Sequence, residues 1–422
     1  MNISKFQETL MKFLMPIANK VEQQKHLQAI KDGMIASIPI IVVGSICLLP
    51  LGIMNLLGSG PVFDFIASNL GVLTYASGFT MDLLSLYAVY FIAKSLSEKY
   101  DLKGSQPAVT AIVVQLILSG VIADGALSIG YLGASGLFTA IVSAIITVEV
   151  YHLCYKKNIY IKLPDSVPAM VGDSFASLVP LCLNVIIAVA IATVSMNLSG
   201  SVFPQALMSF LAPAISTMDT LPALLIVVFL TQLLWFFGLH GPSITSAVWA
   251  PFAIAYGAEN IANFGAGLPV THIFTFGLYY CILQVTGSGL TLGLNLLMMR
   301  SKAKSLSSIG KVGIIPSLFG INEPLIFGTP ILLNPFMFIP FVFGPLIVTV
   351  ITYFSMTSGL VGMPIANPPG FLPPGVGAFL MTLDWKAVVL VVALLILMTL
   401  IYYPFFKMME ADELKKESEN NN

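Results

Sequence analysis

From Ala387 to Phe406 the chain runs twenty residues without a charge. At about 1.5 Å per helical residue that is about 30 Å, the thickness of a bilayer's hydrocarbon core. Tyr402 and Tyr403 and then Lys407 close the run, an aromatic interface followed by a charge. Stretches of similar character lie at about 34–57, 74–93, 107–123, 131–154, 174–197, 221–239, 242–257, 273–299 and 331–356. Ten crossings are therefore expected, in an all-α polytopic membrane fold. Composition agrees. Of 422 residues, 57% are hydrophobic and 9% charged, whereas a soluble domain carries about a quarter charged residues. A water-soluble fold is excluded, and the net charge of −1 leaves no basic field for nucleic acid.

The basic residues set the orientation. Eighteen of the 19 fall before the first stretch or after the second, fourth, eighth and tenth, and only Lys386 is left over. Basic loops face the cytoplasm, so both termini and Lys311 are expected on the cytoplasmic side of the membrane. From Lys162 to Arg300 no basic residue intervenes, and the crossings there follow from parity.

Ile3, Phe6, Leu10, Phe13, Leu14, Ile17 and Val21 repeat at helical spacing with lysines between them. Residues 1–30 are thus expected to form an amphipathic helix on the inner leaflet, with a soluble partner-binding helix as the competitor. No cleavable signal precedes the first stretch. The tail from Glu410 to Asn422 is charged and Asn-rich and is expected to be frayed and solvated. Cys47, Cys154, Cys182 and Cys281 are scattered through apolar chain, without metal or redox spacing. No metal site, cofactor motif or catalytic residue is expected, since neither HExxH, Walker A nor a serine elbow occurs. GSGLTLG at 287–293 lies in a predicted crossing and reads as close helix packing.

Two apolar segments are broken. Residues 305–330 hold seven Gly or Pro, and residues 357–385 hold ten. Such density excludes continuous helix, and irregular backbone at membrane depth survives only when buried in protein or lining a polar cavity. Both read as re-entrant segments, with surface loops as the alternative. Glu323, between Asn322 and Pro324, is the only charge from 312 to 383. An ionisable group so placed points to a ligand. It can also cap a broken helix end. In LLWFFGLHGPS (233–243), His240 sits between Gly238 and Gly241 and before Pro242, so the backbone opens beside the imidazole. His240 is equally readable as packing, and Trp235, Phe236 and Phe237 as an interface belt or a ligand platform. Asp82 and Glu149 read as helix-pairing polar groups. A carboxylate, an amide and an imidazole beside aromatics suit the hydroxyls and C–H faces of a sugar.

FFGLHGPS, the stretch from Gly310 through GINEPLIFGTP to NPF at 334–336, and the Pro-rich run near the end resemble the membrane permease (IIC) component of the lactose, cellobiose and chitobiose family of the bacterial phosphoenolpyruvate-dependent sugar phosphotransferase system. The likeness spans essentially the whole chain. It implies a homodimer, with residues 31–200 as the interface domain and 201–407 as the substrate-binding transport domain, and with 408–422 as a cytoplasmic tail. It implies one disaccharide, cellobiose- or diacetylchitobiose-like, held at His240, Glu323, Asn322, Trp235, Gly241 and Ser243. Phosphorylation would fall to a cysteine of a separate cytoplasmic IIB protein recharged by IIA, so this chain is not expected to be catalytic alone. One departure stands out: relatives carry a Trp in a PWTTPP-like stretch where this chain has Gly370 in PGFLPP, with Phe371 or Trp385 as substitutes. The rival reading is an ion-coupled secondary sugar transporter with Glu323 or His240 binding the proton; a polytopic membrane enzyme is the third.

Overall fold

The computed structural model describes residues 16, 20, 21, 23–57, 59–102, 105–119, 121–123, 126–164, 166–328, 331–370 and 372–420. Most of the expected N-terminal amphipathic helix lies outside them. The helices are α1 (Lys25–Ala36), α2 (Ile38–Leu57), α3 (Pro61–Leu73), α4 (Tyr75–Thr80), α5 (Leu84–Lys99), α6 (Ser105–Ser119), α7 (Leu137–Lys156), α8 (Ala169–Ser199) and α9 (Phe203–Met218). They continue as α10 (Leu221–Phe236), α11 (Gly241–Gly265), α12 (Phe276–Leu278), α13 (Leu292–Met299), α14 (Lys304–Leu318), α15 (Glu323–Gly328), α16 (Pro335–Thr357), α17 (Val376–Thr382) and α18 (Trp385–Asn420). The all-α expectation holds but for one antiparallel hairpin, β1 (Val121–Ala123) and β2 (Ala126–Ser128). Among the described residues six helices are long and apolar enough to cross a membrane, or up to seven if α9 and α10, bent by 68°, make one span.

The chain divides into two compact units, Glu22–Ser216 with Ala250–Leu268, and Met1–Val21 with Thr217–Trp249 and Pro269–Asn422. In the first unit α5 packs against α1, α6 and α7. Gly33 permits the closest approach, since a Cβ there would lie 2.4 Å from the Ile92 backbone nitrogen. Gln115, fully buried, donates to Ser85 Oγ, Ser119 Oγ and the Gly136 carbonyl and accepts from Ser143 Oγ, which links α5, α6 and α7. Such a satisfied amide is how helices bind one another where lipid offers no hydrogen bonds. Glu149 also joins helices: its Oε1 lies 2.7 Å from His26 Nε2 and accepts from the Tyr100 hydroxyl at 2.6 Å. Asp82 instead is exposed and lines a cavity of about 440 Å³.

The second unit departs from three expectations. The stretch 273–299 is not one continuous crossing. Its helix stops after α12 and the π-turn Tyr279–Leu283, and resumes only at Leu292. GSGLTLG is therefore mostly an open loop, because Gly287 (φ +84°) and Gly289 (φ +83°) take the left-handed backbone that a helix cannot propagate. Gly293 does serve close packing, since its Cβ would fall 2.0 Å from Thr399 Oγ1 of α18. Finally, the tail is helical to Asn420. Glu410 accepts from Ser301 Oγ and the Lys302 N–H, and Glu417 from the Lys304 and Ser305 N–H groups, so its carboxylates are tied to protein.

The two Gly/Pro-rich segments are broken as expected. The first is α14, a turn, and α15; in the second, residues 364–370 are free of helix before the short α17. Replacing Gly293 by Val overpacks the α13–α18 contact and is expected to destabilise the protein by about 1–3 kcal/mol, read as a lower melting temperature in detergent. A parental melting curve would remove Gly293 from this role.

Candidate functional site

All six candidate residues fall in the second unit. α10 ends on a left-handed glycine: Gly238 (φ +82°) donates to the Trp235 carbonyl at 2.9 Å and Leu239 to the Leu234 carbonyl at 3.0 Å. This is the αL termination that glycine favours. The chain then turns at once into α11. A Cβ on Gly241 would lie 2.1 Å from the Thr231 carbonyl oxygen, so only glycine fits so close to α10.

His240 is the residue before α11, and its Nδ1 accepts the Ser243 N–H at 3.1 Å. It therefore caps the helix as an Asn or Asp would. With Nδ1 accepting, the neutral imidazole carries its proton on Nε2, a donor available to a ligand. The ring is exposed. Gly241 and Ser243 thus act on His240 through close packing and a backbone N–H.

Trp235 stands between the two motifs. Its ring is 4.6 Å from His240 and 5.8 Å from Phe327 of α15, the helix that begins with Glu323. Phe236 contacts Phe338 at 4.9 Å, and its carbonyl accepts the Leu333 N–H. Trp235 is 2% exposed, and Phe236 and Phe237 are buried with it, which removes the interface-belt alternative. The Trp235 Nε1–H has no hydrogen-bond partner among the described residues.

Asn322, 3% exposed, packs against the loop that interrupts 273–299. Its Nδ2 donates to the Ser288 carbonyl at 2.6 Å and to Thr291 Oγ1 at 2.8 Å. Gly287 makes the room, since a Cβ there would lie 2.3 Å from Asn322 Cγ. The Asn322 carbonyl then accepts the N–H groups of Leu325 and Ile326, which starts α15. Glu323 follows as the first helical residue, half-buried, with Oε2 buried and unpartnered among the described residues. A buried carboxylate oxygen without a donor is unfavourable, and a sugar hydroxyl is a donor of the required kind.

Of the substitutes for the indole missing at 370, Phe371 lies outside the described residues and Trp385 is 67% exposed at the start of α18. A Cβ at Gly370 would meet nothing within 4 Å. Two features were not foreseen from sequence. The loop 284–291 holds Asn322, and its Gly-Ser-Gly triplet was the available signal. His272 Nδ1 lies 2.8 Å from Asp219 Oδ2, while Asp219 Oδ1 accepts the Ile273 and Phe274 N–H groups; this pairing is 53 residues apart in sequence and had no local signal. No group of three or more metal-ligating side chains occurs among the described residues.

Fold and site together define an all-α membrane protein with polar groups gathered on broken helices. Residues 31–345 match the family described as "Phosphotransferase system, EIIC", and the chain belongs to that family. The oligo-beta-mannoside-specific EIIC component of Bacillus subtilis (strain 168) is 30% identical over 427 residues, covering 98% of this chain and 96% of its own. The lichenan permease IIC component of the same organism is 31% identical over 442 residues, covering 99% and 96%. The crystal structure of the transporter ChbC, the IIC component from the N,N'-diacetylchitobiose-specific phosphotransferase system, gives a TM-score of 0.88 at 30% identity, over 97% of this chain and 99% of that one.

Gly287→Ala is expected to destabilise by about 1–2 kcal/mol from left-handed backbone strain alone, with the Asn322 clash adding to it. Gly370→Ala, with open space at its Cβ, should melt within about 0.5 kcal/mol of the parent. Equal melting of the two variants would contradict the cradle geometry.

Proposed function

We propose that this EIIC protein binds one β-linked disaccharide, cellobiose- or diacetylchitobiose-like, and carries it across the membrane for phosphorylation by a separate cytoplasmic IIB protein that IIA recharges. The observation that carries the reading is Trp235, which touches both His240 and the helix headed by Glu323. An imidazole donor, a carboxylate with an unpartnered oxygen and an aromatic ring then lie in one unit. In this reading His240 Nε2 and Glu323 hold a sugar hydroxyl between them, the buried Trp235 packs behind them, and Asn322, Gly241 and Ser243 complete the site. The names of the oligo-beta-mannoside and chitobiose relatives support the substrate class. The open space at Gly370 argues that the far ring of the sugar is held differently from relatives with an indole there.

The transfer step calls for a reactive phosphocysteine. Cys281, the cysteine of the site-bearing unit, is buried behind Gly377, so the donor is assigned to IIB. Phosphoryl transfer depends mainly on positioning, and Glu323 orients the hydroxyl. The remaining architecture follows the sequence reading, except that 273–299 crosses as a broken segment and not as one continuous helix: ten crossings, two re-entrant segments, both termini cytoplasmic, and a homodimer formed by 31–200 with 201–407 carrying the sugar. The ion-coupled alternative has less support, because family membership ties the chain to group translocation.

Cellobiose, diacetylchitobiose, lactose and mannobiose are to be titrated into purified protein. Glu323→Gln and His240→Ala are each expected to weaken the preferred sugar by about tenfold to a hundredfold, the scale of a hydrogen bond to a charged or buried partner. Parental affinity in both variants would take these residues out of the site. Uptake driven by a proton gradient in cells lacking IIB would favour the alternative. A cysteine at Lys311 should react with impermeant reagents only from the cytoplasmic side; labelling from outside would reverse the topology.

A further inference from the structure

We propose that Glu410, on the cytoplasmic part of the last helix, is a positioning residue for the sugar site, acting through the α13–α14 hairpin. The proposal rests on the reading of Asn322 and Glu323 given above. α13 starts immediately after Thr291, whose hydroxyl accepts from Asn322. α14 ends at Leu318, four residues before Asn322. Both arms therefore lead to the same cradle.

The arms fit each other closely. A Cβ on Gly310 would fall 2.5 Å from the Met299 backbone nitrogen, and one on Gly313 would fall 3.2 Å from Asn295 Nδ2. Asn295 Nδ2 donates to Ser317 Oγ at 3.1 Å, a bond buried between the arms. With so little slack, a shift at the bend is transmitted to the tip.

α18 is the rail against which this hairpin lies. Its buried stripe runs Val391, Leu394, Met398, Tyr402, Phe406, Met409 and Glu410, the three-and-four spacing of one helix face. Near the site, the Tyr402 hydroxyl donates to the Gly289 carbonyl at 2.8 Å, and Thr399 meets Gly293. Eight residues on, about 12 Å along the helix, Glu410 is 6% exposed. It accepts from Ser301 Oγ at 2.7 Å and from the Lys302 N–H at 2.9 Å, and it pairs with Lys407 Nζ at 2.8 Å. Ser301 and Lys302 form the bend between α13 and α14. Two turns later Glu417 accepts the first N–H groups of α14, from Lys304 and Ser305.

A carboxylate is otherwise unfavourable at the end of an apolar stripe. Its placement on the bend fixes the hairpin's height along α18. Tyr402 at one end and Glu410 at the other then hold the cradle in register.

The test uses the purified 422-residue chain in detergent and two readouts: hydrogen exchange at peptides spanning 284–292 and 317–326, and titration with cellobiose, diacetylchitobiose, lactose and mannobiose. In Glu410→Ala, exchange in both peptides should rise and affinity for the preferred sugar should fall, each about tenfold, while exchange in the Glu22–Ser216 unit stays unchanged. Glu410→Gln keeps an oxygen for Ser301 and Lys302 and should stay within about threefold of the parent in both. Parental exchange at the cradle in Glu410→Ala overturns the proposal, and so does an increase spread over the whole chain. Should the parent bind none of the four disaccharides, the sugar reading fails and the exchange data alone decide the positioning claim. Should Glu410→Ala not fold, Glu417→Ala takes its place: faster exchange confined to the same peptides supports the proposal, and unchanged exchange there overturns it.

Discussion

Breaking a helix inside hydrocarbon frees backbone N–H and C=O groups that lipid cannot satisfy, and each must find a partner within the protein. In this chain Asn322 meets that demand at two broken helix ends. Its side chain takes up the Ser288 carbonyl released where 273–299 loses its helix, and its own carbonyl starts the helix that carries Glu323. One residue thus closes two helix breaks from different parts of the sequence. The position of Glu323 depends on it, because Glu323 follows directly in a helix of only six residues.

The same demand explains His240. The opened backbone between α10 and α11 needs a capping acceptor, and the imidazole supplies it through Nδ1. Capping fixes the ring's tautomer and leaves Nε2 as the outward donor. Chemistry at the site is therefore a by-product of how the broken ends are satisfied. Polar groups in the bilayer must be partnered on one side, and what they present on the other is what a ligand can use.

The membrane class, the two broken segments and the isolation of Glu323 and His240 were legible in the sequence because each is a local excess or absence that stands out from apolar chain. The third break, at 284–291, was not. It contains no proline, and its glycines at 287, 289 and 293 match the small-residue spacing of close helix packing, which Gly293 in fact provides. Gly287 is packed against Asn322 and Gly289 against Phe341 and Tyr402, all more than thirty residues away, so the Gly-Ser-Gly triplet marks a point where the backbone can open but not the partners that open it. The C-terminal tail misled for a similar reason. Its charge resembles a solvated segment, yet Glu410 and Glu417 are fixed by the backbone of 302–305. Composition reports how many charges a segment has, while their partners are set by tertiary structure.

The capping geometry also bears on which transport chemistry fits. A carrier that moves a proton on His240 must load and unload the imidazole in each cycle. Charging the ring places an N–H on Nδ1, opposite the Ser243 N–H that now donates to it. The cap would be lost at every loading step, at about 1 kcal/mol, and the start of α11 would have to rearrange in step. A neutral imidazole that only donates from Nε2 to a sugar hydroxyl leaves the cap intact throughout. The close fit of Gly241 against the Thr231 carbonyl leaves little room for such a rearrangement, so the geometry suits a fixed hydrogen-bond donor better than a proton carrier.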